Sequence, residues 1–323
     1  MMGELRALSV SQQVGLLFVV LFGLLGLATL VGFGRSLGEL TPGQTALRER
    51  FAGELRALWV GALLFWIAWV SGPLGSTLLF GFVSFLALRE FITLTHTRRA
   101  DHRSLLLAFF VVLPLQYVLV GARLINAFTV FIPVYVFFAI PVISALANDP
   151  FRFLERTAKI QWGVTVTVYG MSHAPALLLL DLPRYHERGA FLVLFLVVVV
   201  VAAQLGQEAA SRRLRRRPVA RAISRSFSWR AFGAGAGAAA VVGLLLDWVT
   251  PFDPLAAMAM GALAGAAGTL GEFVVKALKR DAGVRSWSGD SSVTGAVGLL
   301  DRVAPLCFAA PVFFHSVRAY FGI

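Results

Sequence analysis

The chain has little of what a secreted or metal-clustering soluble protein depends on. Its single cysteine, Cys307, excludes an internal disulfide and a cysteine-based metal cage. Only 14% of its 323 residues are charged, against roughly a quarter in an ordinary globular chain. Lysine occurs only at Lys159, Lys276 and Lys279, so arginine carries nearly all of the formal charge of +12. There is no Walker-type loop and no Gly-x-Gly-x-x-Gly at a strand–helix junction. The histidines, His96, His102, His173, His186 and His315, show no paired metal spacing, and His173 and His315 are expected to hydrogen-bond within a bundle.

What is abundant is apolar sequence, at 58% of residues. Many runs approach the roughly 20 residues that a helix needs to cross about 30 Å of hydrocarbon. An unpaired backbone cannot sit in lipid, and runs such as Phe191–Val201 lack the alternation of a β-barrel. The fold class read from this is all-α, a polytopic integral membrane bundle of about ten transmembrane helices. The first run is too long for a signal-peptide h-region and has no small-x-small cleavage site, so it reads as a span.

The expected spans are Val14–Gly34, Ala57–Val70, Leu74–Leu88, Leu105–Val120, Ile125–Leu146, Ile160–Leu180, Phe191–Ala203, Ala231–Val249, Pro254–Leu278 and Val303–Tyr320. Between the first two, Arg35–Arg56 reads equally well as an interfacial amphipathic helix or as a solvated loop. Asn148–Lys159 and Ala209–Arg230 read as polar loops. Pro114, Pro133 and Pro141 are expected to kink their helices. Glycines at Gly233, Gly235 and Gly237, and at Gly261, Gly265 and Gly268, predict that the eighth and ninth spans pack closely. The reading gives three segments: 1–56 with the first span and the interfacial stretch, 57–188 as an N-terminal bundle, and 189–323 as a C-terminal domain.

Arginine clusters fall in alternate loops, and this places the odd loops in the cytoplasm and both termini outside. The basic excess therefore fits a membrane surface and anionic lipid rather than nucleic acid. Arginine, alanine and glycine usage points to a bacterial cytoplasmic membrane.

Charge concentrates in Gly271–Tyr320, where Lys276, Lys279, Arg280, Asp281, Arg285, Asp290, Asp301 and Arg302 stand between apolar runs. Ionisable groups at the edge of lipid mark a candidate site. Spacings of four and seven put Glu272, Lys276 and Lys279 on one helix face. Lys279, Arg280 and Arg285, opposite Arg212–Arg217, would suit phosphate groups. The plainer reading is that these bases snorkel to headgroups while Asp301 and Arg302 pair with each other.

Leu278-Lys279-Arg280-Asp281-Ala282-Gly283-Val284-Arg285, Leu300-Asp301-Arg302-Val303 and Phe308-Ala309-Ala310-Pro311-Val312-Phe313-Phe314-His315 resemble the C-terminal signature of the phosphatidate cytidylyltransferases in order and spacing. Ser224 and Trp229 resemble remnants of that family's cytoplasmic motif. Weaker likeness extends upstream to Leu88–Phe91 and Phe153–Trp162.

The resemblance implies a homodimeric membrane enzyme that condenses CTP with phosphatidate to give CDP-diacylglycerol and pyrophosphate, with Mg2+ and basic groups neutralising the triphosphate. It implies that Lys279 and Arg280 contact phosphate and that Asp281 supports them. Asp301 with Arg302 opens the last helix, Asp301 and Glu272 are the metal ligands, and Ser224 and Arg285 bind the nucleotide.

Several positions depart from the family pattern. Gln204 stands where the family has an aspartate, Phe227 where it has lysine, and Arg230 where it has glutamate. Arg285-Ser286 replaces a Lys-Asp pair, Gly295-Ala296-Val297-Gly298 replaces Gly-His-Gly-Gly, and Ala304 replaces a second aspartate. The losses fall on the chemistry, while Phe308–His315 is intact. Cytidylyl transfer is therefore expected to be weak or absent, unless Glu272 and Asp290 rebuild a site with Asp301. The rivals are a catalytically silent paralogue that binds anionic lipid or regulates a partner enzyme, and a transporter.

Overall fold

A computed structural model describes residues 10–34, 71–182, 188–214, 218–283 and 298–323, with Tyr185 and scattered positions between 52 and 70. Among the described residues every regular element is helical. In order these are α1 (Val10–Gly34), α2 (Gly72–Thr93), α3 (Arg99–Gly121) and α4 (Ile125–Ala145). Next comes α5, built of Phe153–Gly163, Val164–Gly170 and Met171–Leu178, followed by α6 (Gly189–Leu214), α7 (Trp229–Leu245), α8 (Pro254–Asp281) and α9 (Leu299–Phe321).

Five of them, α2, α3, α4, α6 and α8, are long and apolar enough to cross a membrane. Three stretches widen to π-helical turns: Ala108–Val112, Phe131–Val136 and Val164–Gly170. Each contains a proline or precedes one by no more than five residues (Pro114, Pro133, Pro175). A proline ring removes one N–H and crowds the preceding turn, and a widened turn relieves both.

Contacts divide the chain into two units, residues 1–76 and 77–323. In the first, the Trp59 indole donates to Thr29 Oγ1 at 3.1 Å, and its ring lies 5.7 Å from that of Phe22.

In the second unit α2 to α5 share a core that includes Leu88, Ala108, Val112, Ile132, Ile140 and Val164. Interhelical hydrogen bonds supplement it: Ser84 Oγ donates to the Thr167 carbonyl at 2.7 Å, and Gln116 Nε2 to the Phe128 carbonyl at 3.2 Å and Ser172 Oγ at 3.0 Å. Such bonds suit helices in lipid, where apolar burial alone does not drive association.

Helices α6, α7 and α8 pack on one another, α8 packs on α9, and the second half of α5 packs on α9. The α7–α8 contact rests on small residues, Ala239 and Gly243 against Ala257, Gly261 and Gly265. A Cβ on Gly243 would come within 2.5 Å of the Ala257 carbonyl, and one on Gly261 within 2.6 Å of the Ala239 carbonyl. The close packing expected of these two helices is present. Gly233 and Gly237 take no part in it, because they face open space.

Two loop assignments from sequence are corrected. Helix α5 begins at Phe153, inside the expected loop Asn148–Lys159. Its Arg156 is buried, with Nε 2.8 Å from Asp101 Oδ1 and Nη1 3.0 Å from Asp149 Oδ2. The second oxygen of Asp101 accepts the Arg98 N–H at 2.8 Å. This internal pairing lets a charged turn sit on the core.

Helix α6 continues through Gln204–Glu208 to Leu214, well into the expected loop Ala209–Arg230. Glu208 and Arg212 pair one turn apart on its exposed face, and Gly206 lies against Ala238 and Gly235 of α7. The expected interfacial stretch Arg35–Arg56 falls almost wholly outside the described residues.

Connections alternate between the two ends of the second unit. One end gathers Glu90 with Leu299, Lys279 with Asp301, and Asp101 with Arg156. The other gathers Tyr185 with the Val249 carbonyl, and Asp253 with the Tyr320 hydroxyl at 3.1 Å. Asp253 also caps α8, and the Ala256 N–H, with Tyr320, holds its carboxyl below the ordinary range.

Candidate functional site

The charged stretch of the sequence becomes the junction of three helix ends. Helix α8 closes with Lys279, Arg280 and Asp281, and α9 opens with Asp301 in its first turn. The two helices run antiparallel, since Lys279 meets Asp301 while Gly271 meets Phe308 farther along both. Below the polar end, Phe91, Val275, Leu300 and Ala304 form a small buried cluster that fixes α2, α8 and α9 together.

Lys279 Nζ donates to Asp301 Oδ2. The lysine side chain is only 11% exposed, whereas that of Asp301 is 37% exposed. The ammonium is thus held on the protein side, and the carboxylate faces outward. A pair of this kind keeps a buried charge satisfied and leaves an acid within reach of a ligand.

The sequence reading did not single out Glu90, the third member of the junction. It projects from the last turns of α2 and is 5% exposed. Its Oε2 accepts the N–H groups of Leu299 at 2.9 Å and Leu300 at 3.2 Å. Helix α9 has Gly298 at its N-cap, in the left-handed region at φ 73°, with no side chain to bond its free amides. Glu90 supplies the cap from another helix. Its Oε1 is buried with no hydrogen-bond partner. The charged pair Arg89-Glu90, set between apolar residues, was the available signal.

One to two turns deeper, α6 meets α8 through a second polar cluster. Gln204 Nε2 donates to Glu272 Oε2 at 3.1 Å, and Lys276 Nζ lies 2.5 Å from Glu272 Oε1. The Glu272–Lys276 pairing expected from spacing is present. Both oxygens of Glu272 are engaged, and seven positions along α8 set it about 10 Å from Lys279, the partner of the other acid, Asp301. These two acids therefore belong to different clusters.

Arg280, Asp281 and Arg302 are all exposed at the same end. Ser224 is buried, its Oγ 3.2 Å from Ser226 Oγ. Ser228 caps α7 by accepting the Ala231 N–H at 3.2 Å. Phe227, where a phosphate-binding lysine was expected, is 3% exposed and stacks on Phe273 with ring centroids 4.4 Å apart. Phe232 and Trp229 close around it at 6.0 and 5.8 Å. Arg285, Asp290 and Arg215 to Arg217 lie outside the described residues.

Mg2+ takes oxygen ligands and usually combines one or two carboxylates with waters and substrate phosphates. Asp301, with its outward oxygen, fits that role, and Lys279 beside it suits the phosphates. Among the described residues no group of three or more His, Cys, Asp or Glu side chains is placed to hold a metal. Any ion at this junction would rely on the nucleotide for much of its coordination.

His173 behaves as a packing histidine: its Nδ1 is 2.7 Å from the Tyr169 carbonyl, and its ring lies 5.2 Å from that of Phe314. His315 lies 5.3 Å away by ring centroids.

The sequence model described as the cytidylyltransferase family matches residues 54–320, which include every element of the junction. The chain is also similar to the uncharacterized protein YnbB of Escherichia coli (strain K12). The two are 34% identical over 304 residues, which cover 92% of this chain and 96% of that protein.

Proposed function

From the premise that the chain belongs to the cytidylyltransferase family, that of the phosphatidate cytidylyltransferases, we propose that it binds CTP and an anionic phospholipid at the Lys279–Asp301 junction, with phosphatidate the reference acceptor. The ordered Lys279–Asp301 pair at the meeting of α2, α8 and α9 carries this reading. About ten crossings of a cytoplasmic membrane would place the junction at its inner face, where both substrates are within reach.

In the transfer, a phosphate oxygen of the lipid attacks the α-phosphorus of CTP. A new P–O bond forms there, the bond to the bridging oxygen of the β-phosphate breaks, and pyrophosphate leaves. Phosphoryl chemistry of this kind needs positioning and charge neutralisation more than covalent help. Lys279 would turn from Asp301 to the phosphates, and Asp301 would be the residue to hold Mg2+. Mg2+ bound with the nucleotide would neutralise charge on the phosphates. Arg280 and Arg302, exposed at the same end, hold the lipid phosphate at the surface.

The aromatic packing of Phe227 and the neutral Gln204 favour a second reading, in which transfer is slow or lost and the junction binds anionic lipid. Purified protein with CTP, phosphatidate and Mg2+ separates the two. Lipid-linked CDP that disappears with Asp301→Ala supports transfer. Phosphatidate binding without nucleotide binding supports the silent paralogue. Absence of binding to both, at millimolar CTP, sinks the proposal.

A further inference from the structure

At the far end of α9 from Asp301 lies a second polar feature that the transfer reaction does not use. Arg318 is seventeen residues beyond Asp301, about 25 Å along the helix. It lines a cleft of about 650 Å3 together with Arg123, Asn126 and Asp181, and with apolar walls that include Leu124 and Leu179. That volume is within the range of small-ligand sites.

Both arginines are set up at some expense. Helix α3 ends in a Schellman turn, with the Leu124 N–H bonded to the Leu119 carbonyl at 3.0 Å and the Arg123 N–H to the Val120 carbonyl at 2.9 Å. Arg123 occupies the left-handed position of that turn at φ 57°, where glycine is the ordinary residue. A side chain there is unfavourable, and nothing in the turn itself repays it. Arg318 Nε is buried without a hydrogen-bond partner. A buried donor left unsatisfied is rare in native proteins, and it marks Arg318 as a candidate ligand-binding side chain. Asp181 lines the same cleft.

We infer that this cleft binds a phosphate-bearing anion, with Arg123 and Arg318 as its guanidinium clamp. Guanidinium groups match phosphate oxygens by bidentate hydrogen bonding. The apolar walls beside the clamp, Leu124 and Leu179 among them, favour an amphiphile, so the occupant is the headgroup of an anionic phospholipid at the membrane surface opposite the nucleotide junction. The site is independent of the proposed transfer and stands or falls without it.

The test uses the full chain in a neutral detergent, with thermal unfolding and native mass spectrometry as readouts. Phosphatidylglycerol, phosphatidylcholine and inorganic phosphate are compared at equal concentrations. Expected are retention of phosphatidylglycerol, a saturable rise in Tm absent with phosphatidylcholine, and binding weakened at least about tenfold in Arg123→Gln/Arg318→Gln.

Arg123→Gly separates binding from folding. It should raise Tm by about 2–4 °C without lipid, because the turn is relieved, and should reduce the increment from phosphatidylglycerol. An equal rise with inorganic phosphate, lost in the double variant, would retain the clamp and assign it a soluble ligand. A rise shared with phosphatidylcholine, a rise that survives in the double variant, or no rise with any probe would overturn the inference.

Discussion

Glu90 Oε2 accepts the main-chain N–H of Leu299 at 2.9 Å, although the two residues lie 209 positions apart in the chain. The bond makes the end of α2 the cap of α9 and so sets the rotation and depth of the turn that presents Asp301. Glu90→Ala should cost about 2 kcal/mol of stability, since a capping carboxylate with two amide partners is lost from a buried position. Glu90→Gln keeps an acceptor and should recover most of it. Hydrogen exchange at residues 299 and 300 reads the effect directly, and unchanged protection in Glu90→Ala would mean that α9 is held without this cap.

Restoring the family's acid at position 204 makes a sharper test of the second polar cluster. In Gln204→Asp a carboxylate would face Glu272, whose oxygen now accepts a hydrogen bond from that position at 3.1 Å. Like charges at such separations repel, so the variant should melt at lower temperature than the parent in chelator. Millimolar Mg2+ should restore the loss if the paired acids capture the ion. A Tm insensitive to Mg2+ would argue against a metal in this cluster.

The Arg156 cluster predicts a large and local loss of stability. Removing one partner of a buried, hydrogen-bonded ion pair costs about 3–5 kcal/mol, because the remaining charge stays buried. Arg156→Ala should approach that range, leaving the buried Asp101 without its cation while Asp149 keeps only Arg98 at 3.5 Å. Arg156→Met combined with Asp101→Leu should melt at higher temperature than Arg156→Ala. Equal Tm values for the two variants would show that the charges are not the source of the loss.

The α7–α8 contact makes a steric prediction. Gly261→Leu forces a side chain where even a Cβ would sit 2.6 Å from the Ala239 carbonyl, so the helices must separate. The expected loss is about 1–3 kcal/mol or more. Gly237→Leu, on a face with open space, should be nearly neutral. Thermal unfolding of the two variants in the same detergent checks the contrast.

How far the sequence reached depended on the kind of signal. Helical class was legible because apolar runs of membrane length carry one message. The α7–α8 packing was legible as a tendency, but the residues responsible follow helical geometry, which puts Ala239 and Gly243 against α8, Gly235 against α6, and turns Gly233 and Gly237 away. Charged segments misled. Arg156 and Arg212 marked loops by composition, yet both sit in helices, Arg156 in a buried pairing and Arg212 in an exposed pair with Glu208 one turn back.

At the junction, the motif order exposed Lys279 and Asp301 as candidates, and the fold brings them together. Glu90 escaped because its partners are backbone amides, which carry no signature in the chain. Gln204 and Phe227 showed that expected charges were missing. Only the fold reveals what replaced them, a neutral donor to Glu272 and an aromatic stack on Phe273.

The mutual pairing of Lys279 and Asp301 sets a threshold for any ligand. An anion drawn to this end by Arg280 and Arg302 must still displace a charge-assisted bond before it can reach Lys279. A polyphosphate carrying its own cation brings a replacement partner for each side of the pair at once. Selectivity for metal-loaded triphosphate over simple phosphate would then come from the bond that must first be opened, with no need for an added specificity pocket.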